Sequence, residues 1–247
     1  MRLSPYSAWL IMAPVLVFSR IAAAEVRPAV VELFTSEGCS SCPPAEAYTA
    51  ELAQRSDVLA LTYHVTYWDG LGWSDRFGLP QATQRQRVYS EWLRLSSVFT
   101  PQTVIDGRRS FVGNDRNAIG RDLSVPRDGP PISLTLHGGE LTVGLPAFRV
   151  AAADVVLVPY RRSAVTAIGR GENSGRTITE VNIVRSIRTL SRWEGRDGEY
   201  HVHVDSLPQD ATDVAVLLQS PGEGAIIGAA TLALRADTPA ARSGGAP

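Results

Sequence analysis

Two cysteines, Cys39 and Cys42, constrain the fold of this 247-residue chain more than any other feature. They are its only cysteines, and they stand where an apolar run, Val30-Val31-Glu32-Leu33-Phe34, passes through a polar turn into Pro43-Pro44. Proline is tolerated in a first helical turn, where its missing N–H is no loss. The pair therefore sits at the entrance of a helix, and Ala45, Tyr48 and Leu52 form that helix's buried face. A disulfide across so short a loop restricts the unfolded chain little, which makes it a poor staple. At a helix N-terminus, free N–H groups and the dipole stabilise a thiolate, drawing the thiol pKa from about 8.5 into roughly 3.5–7.5. The spacing thus points to thiol–disulfide exchange. Cys39, nearer the turn, is expected as the exposed nucleophile and Cys42 as the buried resolving thiol. Ser40 and Ser41 are small and leave the Cys39 sulfur open.

The flanking pattern supplies a frame. A strand at 29–34, the helix, and an apolar run at 58–65 make a βαβ unit with parallel neighbouring strands. Ligands gather beyond the carboxyl ends of such strands, which puts Cys39 and residues 64–68 on one cleft. The loop 66–79 is rich in aromatics (Tyr67, Trp68, Trp73 and Phe77). Pro80 opens a helix to about Ser96, with Val88, Tyr89, Trp92 and Leu93 as its apolar stripe. Thr100-Pro101 precedes a strand at 102–105, a turn at Asp106-Gly107-Arg108 and a returning strand at 110–112; a short helix follows at 115–123.

In this order residues 28–123 resemble the thioredoxin fold, with Pro101 where that family places a cis-proline. More narrowly, the stretches 31–44, 64–69, 100–107 and 171–176 are similar to an uncharacterised family of secreted thioredoxin-like proteins. The resemblance implies an α/β thioredoxin-like N-terminal domain (βαβαββα). It implies a cis bond at Thr100–Pro101, with Pro101 lining the site and keeping metals off the sulfurs, and with the Thr100 backbone pairing with substrate. It also implies a buried acid in the first strand that deprotonates the resolving cysteine. Glu32 is the candidate, seven residues before Cys39 where the family has six. A turn longer by one residue restores it to the core face; otherwise strand alternation turns it away. Glu37, in the turn, is the weaker candidate. No organic cofactor is implied, because the sulfur pair carries two electrons. The implied partners are protein or peptide thiols and disulfides, including a redox partner protein.

The remainder sets location and architecture. Residues 1–24 read as a signal peptide: Arg2, an apolar stretch at 8–18 too short to span a bilayer, and Ala22-Ala23-Ala24 as a cleavage site. The expected location is secreted or periplasmic, where disulfides persist, with no membrane attachment after cleavage. The thioredoxin-like domain occupies 25–123 and a proline-rich linker 124–131. An all-β domain, sandwich or small barrel, follows at 132–235, its strand-length runs separated by turns such as Gly138-Gly139 and Asp197-Gly198. Residues 236–247 read as a disordered tail. A net charge of −1 without a basic run argues against nucleic acid and anionic membranes as partners.

Each candidate has a plainer reading. His64 either caps its strand or stands beside Cys39 as an imidazolium or proton shuttle. Trp68, Trp73 and Tyr67 either anchor their loop or form a peptide-binding rim. Gly169–Arg176 reads as a hairpin turn, or as a polar patch with Arg185 that docks on the first domain or a ligand. His201 and His203 share one strand face, either solvated or metal-binding. Two rival functions stand beside the oxidoreductase: a binding module with a static Cys39–Cys42 bridge, and a copper protein using Cys39, Cys42 and His64.

Overall fold

The computed structural model describes residues 23–234. The expected tail and nearly all of the expected leader lie outside the described residues. Strands β2 (Ala29–Thr35) and β3 (Val58–His64) are parallel, in register from Ala29↔Val58 to Thr35↔His64, and helix α1 (Pro43–Leu52) crosses between them. Both strands are buried along their whole length. That is why they read as unbroken apolar runs instead of alternating ones. Helix α2 (Pro80–Trp92) leads to β4 (Gln102–Ile105), antiparallel to β2, then to β5 (Arg109–Val112) and α3 (Arg116–Leu123). A short β1 (Glu25–Val26) pairs with β6 (Asp128–Gly129), which falls inside the stretch expected as a linker.

The rest is all β, as expected: β7 (Ser133–His137), β8 (Glu140–Leu145), β9 (Ala153–Ala167), β10 (Thr177–Val184), β11 (Arg188–Trp193), β12 (Gly198–His203), β13 (Asp213–Gln219) and β14 (Ile226–Ala233). Strand β9 is one 15-residue strand where the sequence shows two runs, because Arg161-Arg162-Ser163 interrupts the apolar pattern on a stretch exposed to solvent. One sheet runs through both regions in the order β14-β13-β9-β10-β3-β2-β4-β5, with β11 also paired to β9; β12-β8-β7 form a second sheet. The seam is the parallel pair β10–β3 at Ile183↔Thr62. Two side chains reinforce it: Thr62 Oγ1 donates to Val181 O at 2.7 Å and Asn182 Nδ2 to Ala60 O at 2.8 Å.

Strand alternation then sorts the core into three main clusters, with a small fourth of Phe77, Ala164 and Ile183. Val30, Phe34, Leu61 and Tyr63 meet Tyr89 of α2 and the inner faces of β9 and β13. Val31, Ala60 and Ile105 meet α1 and α3. The outer faces of β9 and β13 meet the second sheet.

Glu32 belongs to the first of these cores. It faces α2, away from α1, and is fully buried. Arg85 Nε donates to it at 2.7 Å, and the Tyr89 hydroxyl also donates to it. Arg85 in turn reaches Tyr89, which accepts from Gln219 Nε2 at 2.9 Å. The expectation that Glu32 serves the resolving cysteine is therefore corrected: the turn does not restore it to that face. Of the expected α2 stripe, Tyr89 is buried and Leu93 packs on the same core, but the stripe is corrected at Trp92 and in its polar members. Arg85 and Gln86 are buried to serve Glu32 and Gln102, while Trp92 is 53% exposed.

A buried ion pair is costly to break from one side, because the remaining charge is left without a partner. Arg85→Ala is expected to lower unfolding free energy by about 3–5 kcal/mol, read from urea denaturation. Glu32→Leu with Arg85→Met should recover most of that loss.

Candidate functional site

Cys42 is the N-cap of α1, and Pro43 and Pro44 occupy its first turn. The Cys42 carbonyl accepts from the N–H groups of Ala45 and Glu46. Cys39 and Cys42 are joined by a disulfide. The Thr100–Pro101 bond is cis, as the resemblance implied. A chain of hydrogen bonds runs from the aromatic loop to the sulfur: Trp68 Nε1 donates to Thr100 Oγ1 at 2.8 Å, and Thr100 Oγ1 donates to Cys39 Sγ at 3.3 Å. Ser41 Oγ lies 3.4 Å from the same sulfur. Five of the expected residues, Cys39, Cys42, Thr100, Pro101 and Trp68, are thus brought together.

The exposure expected of Cys39 is not found. Both cysteines are 0% exposed, although Ser40 and Ser41 between them are open to solvent. The Thr100 and Ser41 hydroxyls both lie against the Cys39 sulfur, and Trp68 fixes Thr100 there. Trp73 does not form a free rim either; its Nε1 donates to Glu37 Oε2 at 2.7 Å and so anchors the loop to the turn before Cys39. Tyr67 remains partly exposed, at 37%. The polar patch of the 169–176 turn does dock on the first region, through Glu172 and Asn173.

His64 is fully buried and lies on the α1 face, in register with Thr35 of β2. Its Nδ1 is 2.7 Å from Asp75 Oδ2 and its Nε2 is 3.6 Å from Glu180 Oε1. Among the described residues no hydrogen bond links it to either sulfur. With both ring nitrogens turned to carboxylates, the Cys39–Cys42–His64 set weighed for copper is not assembled. Among the described residues no group of three or more His, Cys, Asp and Glu side chains is arranged to hold a metal ion.

The carboxylates around His64 form a buried cluster. Burial by itself would lower the His64 pKa, but the charge and hydrogen bond of Asp75, then Glu180 and Glu46, lift it to about 9. Asp75 is held below the usual carboxylate range: burial pushes it up, but His64 and the N–H groups of Glu37 and Phe77 outweigh that. Burial raises Glu180 to about 7 against the pull of His64. Burial also raises Glu46, whose Oε1 accepts from Thr35 Oγ1 at 2.7 Å.

Sequence reasoning missed Asp75, Glu46 and Glu180. Glu46 follows Ala45 on the buried side of α1, and apolar periodicity does not register a buried acid. Asp75 and Glu180 reach His64 from a loop and from β10, at separations that no motif encodes.

The sequence profile of a family described as "Protein of unknown function (DUF1223)" matches residues 30–219. Among solved structures, the crystal structure of protein AGR_C_4864 from Agrobacterium tumefaciens is similar at 31% identity and a TM-score of 0.75, over 85% of this chain and 96% of that one. HBP35 of Porphyromonas gingivalis is similar at 15% identity and a TM-score of 0.58, over 90% of this chain and 80% of that one, a likeness of fold alone. A comparison with curated proteins finds no match.

The cluster predicts how stability varies with pH. Folding raises His64 from 6.5 to about 9 and Glu180 from 4.5 to about 7. Both folded values lie above the unfolded ones, so each contribution is complete below the unfolded pKa and is lost as pH rises through the folded pKa. Thermal unfolding followed across this range should show Tm falling in two limbs. Glu180→Gln should shrink the lower limb, leaving the part that Glu46 contributes. A wild-type Tm that climbs over the same range contradicts the assignment.

Proposed function

This chain belongs to the DUF1223 family, and from that premise and the geometry around Cys39 we propose that it is a thiol–disulfide oxidoreductase acting outside the cytoplasm on protein or peptide thiols. One observation carries the reading: the Cys39–Cys42 disulfide caps α1 at the cis Thr100–Pro101 bond, with Thr100 Oγ1 3.3 Å from the Cys39 sulfur. The location rests on the leader-like first residues.

In the oxidising direction a substrate thiolate attacks Cys39 Sγ. A bond forms between the two sulfurs, the Cys39–Cys42 bond breaks, and its electron pair leaves on Cys42. A second substrate thiolate then attacks the substrate sulfur, and Cys39 leaves as a thiolate. The substrate is oxidised to a disulfide and the protein is reduced by two electrons. In the other direction the Cys39 thiolate attacks a substrate disulfide, and Cys42 resolves the mixed disulfide by attacking Cys39 Sγ. The α1 N-terminus stabilises the thiolate, and the Thr100 hydroxyl donates a hydrogen bond to it. The backbone at Thr100–Pro101 receives the partner, flanked by Trp68 and the exposed Tyr67. His64, hydrogen-bonded to Asp75 through Nδ1 and facing the Glu180 carboxylate at 3.6 Å through Nε2, acts on this site as a fixed charge on the α1 face and not as a shuttle. The sulfur pair needs no organic cofactor.

A second reading is favoured by one observation, the complete burial of Cys39. In it the bridge is static and the fold is a binding scaffold.

Trapping decides between the two. With Cys42→Ala, the oxidoreductase should accumulate mixed disulfides at Cys39 with extracytoplasmic proteins, released by reductant. An empty trap, together with a wild-type reduction potential below about −300 mV, points to the static bridge.

A further inference from the structure

We propose that Glu172 and Asn173, at the tip of the β9–β10 hairpin, are positioning residues for the Cys39 sulfur. The inference rests on the reading of Cys39 as the reacting atom and extends it to a segment more than 130 residues away in sequence. The side-chain amide of Asn173 donates to Glu37 O and to Cys39 O, each at 2.9 Å. One residue earlier, Glu172 Oε2 accepts the Ser40 N–H at 3.3 Å. The peptide unit joining Cys39 to Ser40 is therefore gripped at both its carbonyl and its N–H by two successive residues of one hairpin.

The tip is shaped for this grip. Asn173 is buried although its neighbours on the tip are exposed. The turn is closed by Ser174 N to Gly171 O at 3.1 Å, Gly175 N to Ile168 O at 2.8 Å and Arg176 N to Asn173 O at 3.1 Å. Gly171 has φ +77°, and a Cβ there would lie 3.0 Å from Trp73 Cβ, so glycine alone lets the tip wedge against the aromatic loop. Trp73 is itself tied to Glu37. The hairpin, the loop and the turn before Cys39 thus lock one another.

The chemical consequence is electrostatic. A carbonyl bound by an amide donor cannot swing toward a thiolate that it would repel. Asn173 holds two such carbonyls and so favours the Cys39 thiolate. It also keeps the turn closed over the sulfur. The Glu172 carboxylate, next to Ser40, opposes the thiolate by its charge. Asn173 and Glu172 therefore set the acidity of Cys39 in opposite senses.

The test is the rate at which iodoacetamide alkylates Cys39, followed against pH in the full chain carrying Cys42→Ala. The midpoint reads thiolate stability and the plateau reads access. Asn173→Ala should raise the midpoint and also raise the plateau by about tenfold, the order expected for the loss of two buried hydrogen bonds. Glu172→Gln, a substitution at an exposed site, should lower the midpoint and leave the plateau unchanged. Should Asn173→Ala fail to fold, Glu172→Gln alone decides. Profiles that superpose on the parent's overturn the proposal, as does a midpoint that moves the same way in both variants. Alkylation needs no protein partner, so an empty trap would remove the oxidoreductase reading and leave this result standing, whereas flat profiles would remove only the clamp.

Discussion

The parallel seam between β10 and β3 is the constraint on which the rest of the structure depends. Its backbone register is a single residue pair, Ile183 opposite Thr62, so side chains carry much of it: the Thr62 hydroxyl on Val181 O and the Asn182 amide on Ala60 O. Because β10 lies there, Glu180 arrives beside His64 at the end of β3, and the hairpin before β10 arrives over the Cys39 turn. The all-β region thus supplies part of the polar lining around the disulfide. A thioredoxin-like region standing alone would lack both contributions.

Two buried charged assemblies occupy opposite faces of the central strands, and period-two alternation explains the division. Glu32 faces α2 and is neutralised by Arg85, with Tyr89 and Gln219 closing the hydrogen bonds. His64 and its register partner Thr35 face α1, where Asp75, Glu180 and Glu46 gather. The acid of the first strand is thereby committed to packing, and the acids around His64 come from a loop, a helix and a distant strand. Asp75 takes the imidazolium and two N–H groups and ionises readily, whereas Glu180 and Glu46 are expensive to ionise, since desolvation penalises their charged forms.

The closed disulfide follows from the same convergence. Ser40 and Ser41 are themselves exposed, but Thr100, fixed by Trp68, bonds the sulfur and the hairpin tip holds the backbone of the turn. Under the proposed exchange reaction this closed arrangement must open before a partner sulfur can reach Cys39, which is fully buried.

Local pattern was enough to read the order of elements from residue 29 through residue 123, though not the short β1 before them. The unbroken apolar runs of β2 and β3, the prolines opening α1 and α2, and the Asp106-Gly107 turn each act within a few residues of themselves. The Cys-x-x-Cys pair at the α1 entrance was legible for the same reason, and the cis bond at Thr100 was legible through family resemblance. The facing of Glu32, the burial of Cys39, the polar face of α2 and the company of His64 were decided only in the tertiary structure. Each depends on which strand lies beside which, and on contacts such as Asn173 to Cys39 that join residues 134 apart. A sequence states hydrophobicity and turn chemistry position by position, whereas the partner of a buried charge is chosen by the packing of the whole sheet.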